Sequence, residues 1–181
     1  MSDEERLEAL RPDERHPGIF IRATSDLVAA FGLEVRLLQP GEPTPTLAAD
    51  QRRSLKYGFE YSGAVEDLMG GADIRLAVVT KGDRVVGFGL AEIMNDSDAW
   101  EVRIINVDEH WRRKSGVELP VVIAGQHFSV GIAHVIVNAL LPSLPRPVFA
   151  DATSPGSRYA FKAFGFVHRG DTSNPCLVVL R

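Results

Sequence analysis

Strand-like and helix-like stretches are interleaved along this chain, which predicts an α/β fold of the α+β mixed kind, one sheet with helices packed beside it. Three observations carry that reading. A strong hairpin signal fills 74–94, a polar-to-apolar switch follows a strand at about 108–116, and a strand-then-helix unit ends at Gly165. The chain has 181 residues, 45% of them hydrophobic, which suits a single core.

Taken in order, residues 1–32 read as an N-terminal arm. Residues 4–10 are helix-like, Pro12 and Pro17-Gly18 interrupt, and a short apolar stretch spans Leu27 to Phe31. The main domain is expected over 33–181. Leu33 to Leu38 alternates like a half-buried strand, and Pro40 to Pro43 ends it. Residues 46–69 predict one or two helices with Leu47, Leu55, Val65 and Leu68 facing the core. Ile74–Thr80, a Lys81-Gly82-Asp83 turn and Arg84–Met94 form the hairpin. Trp100–Val107 is a third strand. From Gly116 the apolar run predicts a helix, broken at Gly125 or Gly131, with Pro142 and Pro145 closing it. Then come a strand at 147–152, a helix at 154–164 and short strands at 166–169 and 176–180.

Composition excludes several functions. The single Cys176 allows no internal disulfide and no cysteine-rich metal site. That usage, with an acidic start in place of a signal peptide, suits a cytoplasmic protein. A net charge of −4 argues against a nucleic-acid partner. Residues 119–141 carry no Asp, Glu, Lys or Arg, yet their histidines, serine and asparagine fit a soluble core better than a membrane span. His127 and His134 could share a helix face, but two histidines do not make a metal site, so no metal is expected. Gly87-Phe88-Gly89 lies inside a predicted strand and is not a dinucleotide loop.

Two segments resemble the GNAT (Gcn5-related N-acetyltransferase) superfamily. Its acyl-CoA motif is a strand, then Gln or Arg, two residues, Gly, one residue, and Gly or Ala. Arg113 and Gly116 fit that spacing, while Glu118 stands where the family has a small residue. The family's second segment is a strand, Asn-x-x-Ser or Asn-x-x-Ala, and a helix ending in Gly-Phe. Val148–Asp151, Ser157 and Gly165-Phe166 match, whereas Ser154 replaces Asn and Phe161 replaces the frequent catalytic Tyr.

The resemblance implies a central mixed, mostly antiparallel sheet flanked by helices. It also implies acetyl-CoA or another acyl-CoA as co-substrate and an amine on a small molecule or protein as acceptor, and it leaves homodimerisation open. Cofactor contacts are expected from the Val107 backbone, from Arg113, Lys114, Ser115, Gly116, Val117 and Glu118 at a helix N-terminus, and from Ser154 and Ser157. Glu101 is the expected general base, with Glu92 as a weaker candidate. Tyr57, Phe59, Glu60 and Tyr61 are expected to line the acceptor pocket. The competing expectation is a catalytically inactive module that binds acyl-CoA or a protein, which Phe161, Ser154 and Glu118 favour.

Overall fold

The computed structural model describes residues 1–181. Nine strands form two sheets: β1 (Glu34–Leu38), β2 (Ile74–Lys81), β3 (Arg84–Ile93), β4 (Trp100–Val107), β5 (Leu119–Ile123), β6 (Gln126–Val130), β7 (Val148–Asp151), β8 (Val167–His168) and β9 (Leu177–Leu180). Six helices accompany them: α1 (Asp3–Ala9), α2 (Pro17–Phe31), α3 (Ala49–Arg52), α4 (Tyr57–Met69), α5 (Ile132–Leu140) and α6 (Pro155–Ala163). The large sheet runs β1-β2-β3-β4-β7-β9-β8, and every pairing in it is antiparallel except β4 with β7. The mixed, mostly antiparallel sheet is therefore as expected.

The first four strands follow their sequence signals. Gly82, at φ 55°, supplies the left-handed backbone of the β2–β3 turn. A bulge lies between β3 and β4, where Leu90 pairs Ile104 and Ala91 pairs Val102, so Arg103 is the extra residue. Beyond it β4 diverges from β7. Only Trp100, Glu101 and Val102 pair across, with Val148, Phe149 and Ala150. The C-terminal half of β4 thus has a neighbour on one side only.

Apolar side chains cover both faces of the sheet. On one face Leu76, Val78, Phe88 and Leu90 meet Tyr57, Tyr61, Ala64 and Leu68 of α4. On the other, Ala77, Val79, Val86 and Val102 meet α2, α5 and α6. The 1–32 segment belongs to this second cluster. Phe20, Ala23 and Leu27 project from one side of α2 and are buried, joined by Leu7 and Leu10. Gly32, in the left-handed conformation, ends α2 just before β1.

Three expectations need correction. Residues 119–130 form the β5–β6 hairpin and not a helix from Gly116; the helix begins only at Ile132. Ala124 and Gly125 both have positive φ, 49° and 76°, the backbone of a tight two-residue hairpin turn. His127 and His134 share no helix face, since one lies on β6 and the other on α5. Leu55 is 93% exposed in the link between α3 and α4 and faces no core. No helix is long and apolar enough to cross a membrane.

Candidate functional site, a cleft where the sheet divides

Where β4 leaves β7 a cleft of about 460 Å³ opens, lined by Ile105, Asn106 and Val107 of β4, by Gly131 to His134, and by Ser154, Gly156 and Ser157 at the start of α6. Lys56, Arg112, Arg113 and Lys114 line it too. The cleft therefore joins a half-unpaired strand, two helix N-termini and four cationic side chains. The first amides of α5, at Ile132 and Ala133, have no intrahelical acceptor and sit at the positive end of the helix. Backbone and side-chain charge together favour an anionic ligand.

Local packing fixes each part. Gly131 caps α5 on extended backbone, and a Cβ there would lie 2.6 Å from Arg113 Cγ. The missing side chain lets Arg113 lie along the helix start. Its guanidinium donates to Asp3 and Ser129, both at 2.7 Å, and stacks over Tyr159 with 5.0 Å to the ring centroid. Ser154 caps α6 by accepting from the Ser157 amide at 3.1 Å. Gly87 and Gly89 let α5 approach β3, because a Cβ at Gly87 would meet Ile132 Cγ2 at 2.9 Å.

Two further hollows open from this cleft. One shares Lys56, Ile105, Ser154 and Ser157 with it and continues to Glu60, Arg103 and Phe161. The other shares Lys56, Asn106, Val107 and Arg112 and leads to Asp50, Gln51 and Tyr57. In the latter, Asp108 is almost fully buried. Burial pushes its carboxyl up, but the His110 amide, Gln51 and Arg84 outweigh it and hold the group below its ordinary range.

The residues singled out in the sequence divide between cleft and surroundings. Val107, Arg113, Lys114, Ser154 and Ser157 line the cleft. Ser115, Gly116, Val117 and Glu118 do not: Ser115 bonds the Glu109 carbonyl, Gly116 ends a 3-10 turn, Val117 is buried in the core and Glu118 is exposed. The helix start they were expected to form lies instead at Gly131. The sequence held a signal for it, since Gly131-Ile132-Ala133 is itself a Gly-x-Ala opening a helix, with Phe128 in the Gln or Arg position.

Glu101 sits at the far end of β4, opposite Glu92 and Phe149, and lines none of these three hollows. Burial raises its carboxyl pKa; Arg103 lowers it, while Asp151 and Glu92 raise it further. Arg103 makes its ion pair with Glu92, at 2.7 Å, and not with Glu101. Tyr57 lines the Asp108 hollow, and its ring packs edge-on to Phe88 at 5.1 Å. Tyr61 is buried against the same phenylalanine with its hydroxyl donating to the Pro45 carbonyl at 2.6 Å, and burial pushes its phenol up to about 12. Phe59 is 80% exposed on α4. Glu60, expected at the acceptor pocket, lies on α4 between Phe59 and Tyr61, and its carboxylate accepts from Asn106 Nδ2 at 2.9 Å.

This geometry has counterparts among solved structures. An acetyltransferase of the GNAT family from Bacillus cereus matches with a TM-score of 0.55 at 15% identity, over 82% of this chain and 96% of that one. The chain has the GNAT fold. A variant of the toxin AtaT, bound to the C-terminus of the antitoxin AtaR, matches with a TM-score of 0.50 at 14% identity, over 82% of this chain and 92% of that one. No family model matches the sequence, and neither does any curated protein. At these identities the GNAT likeness is one of fold, and the chemistry rests on the cleft itself.

Proposed function

We propose that this protein is an acyl-CoA-dependent N-acyltransferase, working in the cytoplasm by direct transfer to an amine of a small molecule or a protein. The observation that carries the reading is the cleft at the parting of β4 and β7, walled by the α5 N-terminus and lined by Lys56, Arg112, Arg113 and Lys114. The pyrophosphate would rest on the Ile132 and Ala133 amides. A pantetheine arm would lie along residues 103–107 of β4, which lack a strand neighbour on that side, and its amides would take the place of one. Backbone N–H groups there could bind the oxyanion that forms as the thioester carbonyl is attacked.

A binding module without turnover is the second reading, and one observation favours it. Phe161 lines the inner part of the cleft, so no phenol stands there to protonate a leaving thiolate.

Calorimetric titration with acetyl-CoA and CoA separates these readings from no binding at all. Wild type should bind both. Gly131→Glu puts a carboxylate beside the phosphate cradle and should weaken binding about 30-fold, or 2 kcal/mol. Removal of the Glu118 carboxylate in Glu118→Ala should leave the affinity within about threefold, because that side chain lies outside the cleft. Thiol release with added amines then distinguishes the enzyme from the module. Equal affinity of Gly131→Glu and wild type would remove the α5 cradle from the reading.

A further inference from the structure

We propose that Glu60 is the catalytic base that takes the proton from the acceptor amine, an inference that rests on the acyltransferase reading above. Glu60 lies on α4 and lines the inner hollow beside Ile105, Ser154 and Phe161. Its carboxylate accepts from Nδ2 of Asn106, a residue only 8% exposed that lines the adjoining acyl-CoA cleft. That bond places the carboxylate at the half-unpaired stretch of β4, across from the α6 start. An amine entering on the α4 side would meet it before reaching a thioester lying along β4.

The other carboxylates near the cleft are less suited. Asp108 is committed to Gln51, Arg84 and the His110 amide. Asp50 pairs with Arg84 at 2.8 Å. Glu101 is five residues from Asn106 along the strand, about 16 Å away. Asp151 borders the inner hollow but is exposed and makes no side-chain link to β4. Glu60 makes no ion pair, and its bond to Asn106 uses only one of the two carboxylate oxygens.

The proton balance is simple. Glu60 removes one proton from the ammonium and later returns it to solvent. The freed nitrogen lone pair attacks the thioester carbonyl, forming the C–N bond. As the C–S bond breaks, the electron pair leaves with sulfur. The second nitrogen proton ends on the thiolate through water. The products are the amide and free CoA, with one proton released.

The test compares two amines on wild type, Glu60→Gln and Glu60→Asp, with acetyl-CoA and a thiol-release readout. One is an alkylamine, charged at neutral pH and chosen as the best of a panel of polyamines and peptides with free N-termini. The other is trifluoroethylamine, whose nitrogen is already largely uncharged and needs little help from a base. Glu60→Gln preserves an acceptor for Asn106. It should cost the alkylamine reaction about 100-fold or more in kcat and cost the trifluoroethylamine reaction far less. Glu60→Asp should retain part of the rate, and calorimetric acetyl-CoA affinity should match wild type in both variants. Equal losses for both amines, an unchanged rate, or a comparable loss in Asp151→Asn alone would overturn the assignment. Wild type that binds acetyl-CoA but acylates none of the amines would overturn Glu60 as base while leaving the cofactor cleft intact. Wild type that binds no acetyl-CoA would overturn both.

Discussion

Gly89→Ala should destabilise the protein by about 3 kcal/mol, at the upper end of ordinary overpacking. The added methyl would fall inside contact distance of Ile136 Cγ2, with Leu140 Cδ1 at 3.0 Å and Ile105 Cδ1 at 3.1 Å. Ile136 and Leu140 have no exposed surface, so neither can swing away. The β3 backbone is pinned by β2 and β4 on either side. Relief has to come from moving α5, whose first turn forms the proposed anion cradle. For a chain of this size the melting temperature should fall by about 6–12 °C, and acetyl-CoA affinity should fall with it. A double-mutant cycle with Ile136→Ala checks the cause. Removing Cγ2 opens the space the methyl needs, so the pair should cost clearly less than the sum of the singles. Additive costs would mean that the strain lies elsewhere.

The second large effect is acid sensitivity at His134. Its ring lies between Phe20, Tyr159 and Phe164, with the Tyr159 centroid 4.8 Å away. Nδ1 accepts from the Gly131 amide at 3.2 Å, and Nε2 is buried without a partner. Burial pulls its pKa down to about 3; Arg113 lowers it further and Asp3 opposes this. In the unfolded chain an ordinary histidine titrates near 6.5. Between these values the unfolded state takes up a proton that the native state refuses. Stability is therefore lost as pH falls from about 6.5 toward 3, by up to about 1.4 kcal/mol per unit, or roughly 3 kcal/mol by pH 4.5. Urea unfolding of wild type and His134→Gln at several pH values isolates the histidine from the carboxylates. Gln does not titrate, so the variant should lose most of the slope between pH 6 and pH 4.5. Parallel slopes would assign the acid sensitivity to other groups.

Where local signals were strong, the sequence could be read through to the structure. Alternation and turn residues marked β1 to β4, and Ser154 with Gly165 bracketed α6. The β5–β6 hairpin escaped because its solvent face is partly apolar. Val122 is 56% exposed between buried Val121 and Ile123, so a two-residue period reads as an unbroken apolar run. Motif spacing therefore points to 113–118 as the phosphate cradle, although Arg113 does return to the cleft in space across the β5–β6 hairpin. The link between Glu60 and Asn106 joins residues 46 apart and depends on how α4 crosses the sheet. No local pattern encodes that, whereas Glu101 attracted notice through its place on β4. The 1–32 segment had weak signals because its buried residues are few per turn and Pro12 and Pro17 divide it.

The clasp between α1 and α6 has a consequence for the order of assembly. Glu4 binds Arg158 at 3.0 Å and Lys162 at 2.8 Å, residues 154 and 158 positions away, and Glu8 also reaches Lys162. During synthesis α1 leaves the ribosome long before its partners exist. Closing so long a loop costs entropy that is offset only once residues 155–163 have been made. Although α1 is made before α6, it is thus among the last of these elements to dock, and the groove that α1 will occupy on α6 stays open until α6 itself is in place. A nascent chain stalled short of residue 158 should therefore leave α1 open to protease, whereas the full-length chain protects it.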